Sequence, residues 1–203
     1  MKIITICSRK GGSGKTTVTR SLATGLVHQK HRVLLIDADN QANLTDWFQC
    51  RESEDLSLVE CSMPQLKRNK DALSEQFDFV LIDTPPSEEG IVYPMLEVAD
   101  LVLIPCKASP DDLRSVGITA ALAKRLNKPF LFVMTQVETR AGITKIVEST
   151  LQSIGQLAPS LRKYSVYIES SISGQTPMDL GRKSNAVEDI RALTDHVLKL
   201  CAL

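Results

Sequence analysis

A run of small and basic residues near the N-terminus, Lys10-Gly11-Gly12-Ser13-Gly14-Lys15-Thr16-Thr17, has the composition of a phosphate cradle. Its glycines allow successive backbone N–H groups to point into one concavity. A helix opening at Lys15 adds the positive end of its dipole. In that setting Lys15 reaches the β/γ oxygens of a nucleotide and the Thr16 hydroxyl ligates Mg²⁺, while Thr17 is placed for the α-phosphate. The competing reading, a Gly-rich turn that binds nothing, is disfavoured by the order of strand, loop and helix around the run. The ordinary pattern asks for Gly five positions before Gly14; Arg9 stands there, and Lys10 follows. Lys10 is thus a second lysine beyond what one site needs, and one use for it is to reach the phosphates of a second copy of the chain.

Two acidic stretches complete the chemistry. Val33-Leu34-Leu35-Ile36 runs into Asp37-Ala38-Asp39-Asn40-Gln41. Strand alternation sends Asp37 and Asp39 to one side, where a carboxylate can order a water in line with the γ-phosphate and neighbour the metal, and Asp37 is a candidate metal residue beside Thr16 and Asp83. Capping and turn formation are the alternative use of such residues. Phe79-Val80-Leu81-Ile82-Asp83 is an apolar run ending in Asp. It reads as a Walker B element in which Asp83 holds Mg²⁺, through water, because Mg²⁺ keeps several of its waters.

These residues need a scaffold, and the pattern predicts one. Nearly continuous apolar runs at Lys2–Ser8, Arg32–Asp37, Phe79–Asp83, Leu101–Pro105 and Phe130–Thr135 read as parallel strands buried on both faces. Helical patterns at Lys15–Gln29, Met63–Ser74, Gly90–Val98, Pro110–Leu126 and Ile143–Ile154 alternate with them. The alternation predicts an α/β fold, a doubly wound and mostly parallel sheet with helices on both faces. Right-handed crossovers then gather the strands' C-terminal ends on one edge, where ligands bind. A short strand is expected around Leu56–Val59 and a last one at Val166–Ile168. Asn185–Leu200 is expected to be an amphipathic helix with Val187, Ile190, Leu193, Val197 and Leu200 on its buried side.

A length of 203 residues favours one domain. No apolar run approaches the roughly 20 residues that span a bilayer, and the N-terminus does not read as a signal peptide, so a cytoplasmic protein is expected. The five cysteines are scattered, without CxxC spacing, as in a protein kept reduced. Net charge is zero but uneven. Residues 1–100 carry 11 Lys/Arg against 15 Asp/Glu, a balance of −4, and residues 101–203 carry 13 against 9, a balance of +4. The second half can offer a basic surface to a polyanion; Arg140, Lys145, Arg162, Lys163, Arg182 and Lys183 are candidates, being basic and in loops or on predicted helix surfaces.

Taken together the motifs closely resemble the ParA/MinD family of deviant Walker P-loop ATPases, the ParA branch in particular, over nearly the whole chain. Lys10–Thr17 matches the deviant motif, with Lys10 as signature lysine; Val33–Gln41 resembles the second acidic motif, with Asn40 in place of its proline; Asp83-Thr84-Pro85-Pro86 matches Walker B. The resemblance implies ATP and Mg²⁺ as ligands and Asp39 as the carboxylate needed for hydrolysis. It also implies adenine contacts at Thr135 and Gln136. It implies a homodimer sandwiching ATP, with Lys10 crossing to the opposite nucleotide, that binds DNA non-specifically. It further implies weak hydrolysis, stimulated by a ParB-like adaptor, in plasmid or chromosome partitioning. The first strand starts at residue 2, so the short form without an N-terminal helix-turn-helix is expected. Glu188, Asp189 and Asp195 in the tail fit core packing better than a membrane helix. Alternative readings are a MinD-like or other positioning ATPase for membrane or protein cargo, and a metabolic relative such as a dethiobiotin-synthetase-like ligase, which has no need of Lys10.

Overall fold

The computed structural model describes residues 1–86, 89–138 and 142–201. Their elements are β1 (Lys2–Ile6), α1 (Lys15–His28), β2 (Val33–Asp37), α2 (Asn43–Gln49), β3 (Ser57–Leu58), α3 (Met63–Arg68) and α4 (Lys70–Gln76). Next come β4 (Phe79–Asp83), α5 (Glu89–Val98), β5 (Leu101–Cys106), α6 (Pro110–Arg125), β6 (Phe130–Val137) and α7 (Gly142–Ile154). The chain closes with β7 (Gln156–Leu157), β8 (Leu161–Arg162), α8 (Val166–Ser171) and α9 (Asn185–Cys201). The sheet runs β3-β2-β4-β1-β5-β6-β7, with β8 also on β6, and every described strand pair is parallel. This is the α/β architecture the apolar runs require.

Strand alternation divides the core between the two faces. Ile4, Leu35, Leu81, Leu103 and Val133 point to one side, where Val18, Leu22 and Leu26 of α1 and Ile190, Leu193 and Val197 of α9 cover them. Ile3, Leu34, Ile36, Val80 and Ile82 point to the other, under Met63 and Leu66 of α3. Val102, Ile104, Phe132 and Met134 share that second face beneath α5, α6 and α7. All the central strands are apolar on both sides because both sides are covered.

Three local expectations are corrected. Val166–Ile168 is helix, not strand. As a helix, α8 lays Tyr167 against the core while Ile168 and Ile172 stay exposed, and the pairing position beside β6 is taken by the two-residue β8 instead. The single helix expected over Met63–Ser74 is two, broken at Asn69; α4 fully buries no side chain and meets the core only through half-buried Leu73, so little packing holds it in line with α3. Asn43 opens α2, an element for which the sequence pattern sets no expectation. Leu200 is exposed, because the helical period brings Leu198 and Cys201 to the core after Val197.

Candidate nucleotide site

Ile6, Asp37 and Asp83 are in register across three adjacent strands, so β1, β2 and β4 present their C-terminal ends in one row. From that row β1 enters the glycine-rich loop and α1 begins at Lys15. Gly14, with φ 94°, is the residue that turns the loop into the helix. A Cβ there would lie 3.1 Å from three atoms of Thr135, so both backbone angle and space demand glycine. Thr135 braces the loop from β6: its hydroxyl donates to the Ser13 carbonyl at 2.6 Å.

Lys15 is buried under the loop, and burial lowers its pKa despite the nearby Asp83 and Asp39 carboxylates. Its ammonium donates to the Lys10 carbonyl at 3.4 Å. Asp83 is 1% exposed. Burial pushes its pKa up to about 7, helped by the charge of Asp37 and opposed by hydrogen bonds from Thr16 and Thr19 and by Lys15. The Thr19 hydroxyl donates to it at 3.2 Å. Such a carboxylate is short of positive charge, and a divalent cation between it and the Thr16 hydroxyl fits that deficit. No group of three or more His, Cys, Asp or Glu residues able to hold a metal occurs among the described residues.

The two acids of the second motif part company. Asp37 accepts from the backbone N–H of Asp39 at 3.1 Å and from the N–H and hydroxyl of Thr45 at 2.9 and 3.0 Å. It organises the loop leading into α2. Asp39 instead lines a cavity of about 360 Å³ together with Gly12, Lys15 and Thr16. Gln41, Asn43 and Pro86 also line it. The sequence motifs do not single out these three as site residues, although the polar run after Asp39 is the available signal.

Lys10 is not in that lining; its ammonium lies 2.7 Å from Asp112 Oδ2 on α6. Asp112 is 102 positions away and announces itself in sequence only as a helix-start residue. A second, more apolar slot of about 170 Å³ adjoins the first through Gly14, Thr17 and Gln136, and is walled by Tyr164, Tyr167 and Leu161. Thr135 and Gln136 both line it, though the Thr135 hydroxyl is committed to the loop.

The basic candidates scatter. Arg162 lies in β8, where its guanidinium holds Asp189, the closest contact being 2.6 Å. Lys163 pairs with Glu138 at 2.8 Å. Lys145, Arg182 and Lys183 are exposed, and Arg140 lies outside the described residues.

This arrangement can bind a nucleoside triphosphate with its phosphates in the larger cavity and its base in the slot. The chain is similar to maintenance of carboxysome distribution protein A of Halothiobacillus neapolitanus, 29% identical over 96% of this chain and 95% of that protein. It is also similar to protein virC1 of Rhizobium rhizogenes, 32% identical over 88% of this chain and 76% of that one. Its fold matches the septum site-determining protein MinD of Pyrococcus horikoshii OT3, solved with Mg-ADP, with a TM-score of 0.83 at 19% identity, covering 98% of this chain and 97% of that one. Residues 4–175 match the CobQ/CobB/MinD/ParA nucleotide binding domain, and the chain belongs to that family.

Proposed function

We propose that this chain is an ATP-hydrolysing switch that dimerises on ATP, binds DNA without sequence preference while dimeric, and positions a large cargo through a small ParB-like adaptor. The observation that carries the reading is the meeting of buried Lys15, buried Asp83 and cavity-lining Asp39 beneath one glycine-rich loop. Lys15 neutralises phosphate charge from within the loop, where low dielectric makes it count most. Thr16 and Asp83 hold Mg²⁺, which when bound offsets charge on the transferred phosphate. Asp39 orients the attacking water. The apolar slot takes the adenine between Gln136 and the Tyr164/Tyr167 wall. Lys10 serves a second copy, as the resemblance implies.

DNA binding draws on exposed Lys145, Arg182 and Lys183, doubled in a dimer; Arg162 and Lys163 are already engaged in ion pairs. The cargo is open between a plasmid or chromosome and a protein body. The likeness to a carboxysome distribution protein along almost its full length favours keeping the second.

The test is a gel-shift titration on two unrelated duplexes with ATP, ADP or no nucleotide, at two salt concentrations, alongside Asp39→Ala. Binding is expected only with ATP, equally on both duplexes, falling steeply with salt. Asp39→Ala is expected to keep the DNA-bound state while hydrolysis drops by at least about tenfold, on the order of the effect of losing one positioned group. Equal binding in all nucleotide states would defeat the switch. Absence of DNA binding would move the reading to membrane or protein cargo, checked with liposomes of anionic lipid.

A further inference from the structure

We propose that Lys107 is a third lysine of the phosphate site, one that contacts the terminal phosphate of the nucleotide held in its own chain's loop and so favours ATP over ADP. The inference rests on the ATP-binding reading proposed above, and adds the residue that tells the two nucleotides apart.

Lys107 is carried to the loop by the strand before it. β5 runs beside β1 with Leu103 in register with Ile6, and the Cys7 N–H donates to the Leu103 carbonyl at 2.9 Å. The strand continues to Cys106, so Lys107 stands past the row of strand ends, next to the glycine-rich loop. A Cβ built on Gly12 would lie 3.8 Å from the Lys107 ammonium. Two bonds to the Lys107 carbonyl hold its backbone there: the Ser109 N–H donates at 2.8 Å and the Cys106 thiol at 3.2 Å. Lys107 is half-buried. Its ammonium has no ion pair or hydrogen bond among the described residues. The loop's own lysines are placed otherwise: Lys15 is buried beneath it, and the Lys10 ammonium is held by Asp112.

The linings of the two cavities separate the ends of the nucleotide. Gly14, Thr17 and Gln136 border the slot that suits a base. Gly12 is absent from that slot and lines the larger cavity with Gly11, Asp39 and Pro86, which the slot does not touch either. Gly12 therefore stands at the end away from the base, where a triphosphate has its last phosphate and a diphosphate leaves a gap. Charge points the same way. Among the described residues, the charged side chains lining the larger cavity are Lys15 and Asp39, which cancel. A triphosphate stays anionic even with Mg²⁺ bound, and a further cation beside its open end stabilises it. A lysine ammonium is a compact charge on a flexible stem, suited to meet a phosphate that is present in only one of two ligands.

The experiment compares nucleotides on dilute protein that light scattering shows to be monomeric. Isothermal titration with Mg²⁺ and either ADP or a non-hydrolysable ATP analogue is run on wild type and two variants. Lys107→Met keeps the aliphatic stem, and Lys107→Arg keeps the charge. Lys107→Met is expected to weaken analogue binding about tenfold, the size of one charge-assisted contact partly open to water, and to leave ADP binding within about twofold. Lys107→Arg is expected to recover most of that loss. The second readout is competitive acetylation of wild type, read by mass spectrometry, in which Lys107 is expected to lose reactivity with the analogue and not with ADP. A merely structural role would weaken both nucleotides alike and lower the melting temperature; that result overturns the inference. Unchanged analogue binding in Lys107→Met, or no protection by the analogue, overturns it and leaves the site reading standing. A loss seen only at concentrations where the analogue drives dimerisation overturns it as well, by placing the contact across two chains. Wild-type protein that binds neither nucleotide defeats the site reading, and the inference with it. If Lys107→Met does not fold, Lys107→Gln carries the same comparison.

Discussion

Asp83 is the residue on which the site's electrostatics turn. Its pKa stands at about 7 in the folded chain against an ordinary 3.8. A folded-state pKa above the unfolded one means that the native chain binds more protons between those values, so stability falls as pH rises through that window. Nucleotide-free protein is therefore expected to lose thermal stability as pH rises from about 4 to about 7, and Asp83→Asn to flatten that part of the profile. Melting curves at several pH values, wild type against variant, check it; parallel profiles would mean that Asp83 is already compensated. Magnesium nucleotide should flatten the wild-type profile as well, because added positive charge favours the ionised carboxylate.

At the scale of elements, the loop carrying Asp39 is made firm by β4 beside it and by α2. Ala38 N–H donates to the Asp83 carbonyl at 2.9 Å, and Asp37 ties the loop to Thr45 in α2. The far end of α2 is clamped in turn. Arg51, its side chain buried, grips Asp179 and Asp55 at 2.8 and 2.7 Å, and donates to the Gly174 carbonyl at 3.0 Å. The guanidinium groups of Arg20 and Arg51 lie over the Trp47 ring, 5.8 and 5.6 Å from its centre, and the ring N–H donates to the Gln175 carbonyl at 3.1 Å. Gly174 closes this clamp: its φ is 65°, and a Cβ would meet the Arg51 backbone nitrogen at 2.3 Å. Backbone cannot yield as a side-chain tip can. Gly174→Ala is expected to cost at least about 2 kcal/mol, from left-handed strain and displacement of α2 together. Urea unfolding measures it, and a loss within about 0.5 kcal/mol, the size of a neutral surface change, would show the turn free to move away.

The whole molecule is one continuous sheet with helices on both faces, and the two adjoining cavities of the candidate nucleotide site are lined by residues from Gly11 to Ile168. A ligand held by so many separated segments should stabilise the chain as a unit. Saturation at 100 times Kd adds about 2.7 kcal/mol. For a chain near 200 residues that is a rise in Tm of roughly 5 to 11 °C. Calorimetry with and without Mg²⁺ and a non-hydrolysable ATP analogue is expected to show one transition moving by that amount. A site-local rise with a second, unmoved transition would split the chain into two units. No described helix is long and apolar enough to cross a membrane, and α9 spends its apolar stripe on α1 and the sheet.

Local chemistry is readable wherever the same few residues serve both as element and as site. The loop from Lys10 to Thr17, the strand ending at Asp83 and the alternation of apolar runs each carry their own signal, because close phosphate approach and two-sided burial constrain residue type directly. Local pattern misjudges α8, since Val166-Tyr167-Ile168 has the side chains of a strand and only the neighbouring core decides that Tyr167 alone turns inward. It likewise cannot separate Asp37 from Asp39: alternation puts both on one side, and the turn that binds Asp37 to Thr45 exists only once α2 has formed. Thr135 announces no bond to Ser13, nor Asp112 to Lys10, across 122 and 102 positions of chain. Sequence by itself determined which residues could hold phosphate and metal, because that is a matter of atom types and short spacing. Which acid faces the cavity, which lysine is parked and which threonine braces the loop were decided by tertiary packing, because burial and hydrogen-bond partners are properties of segments brought together from far apart.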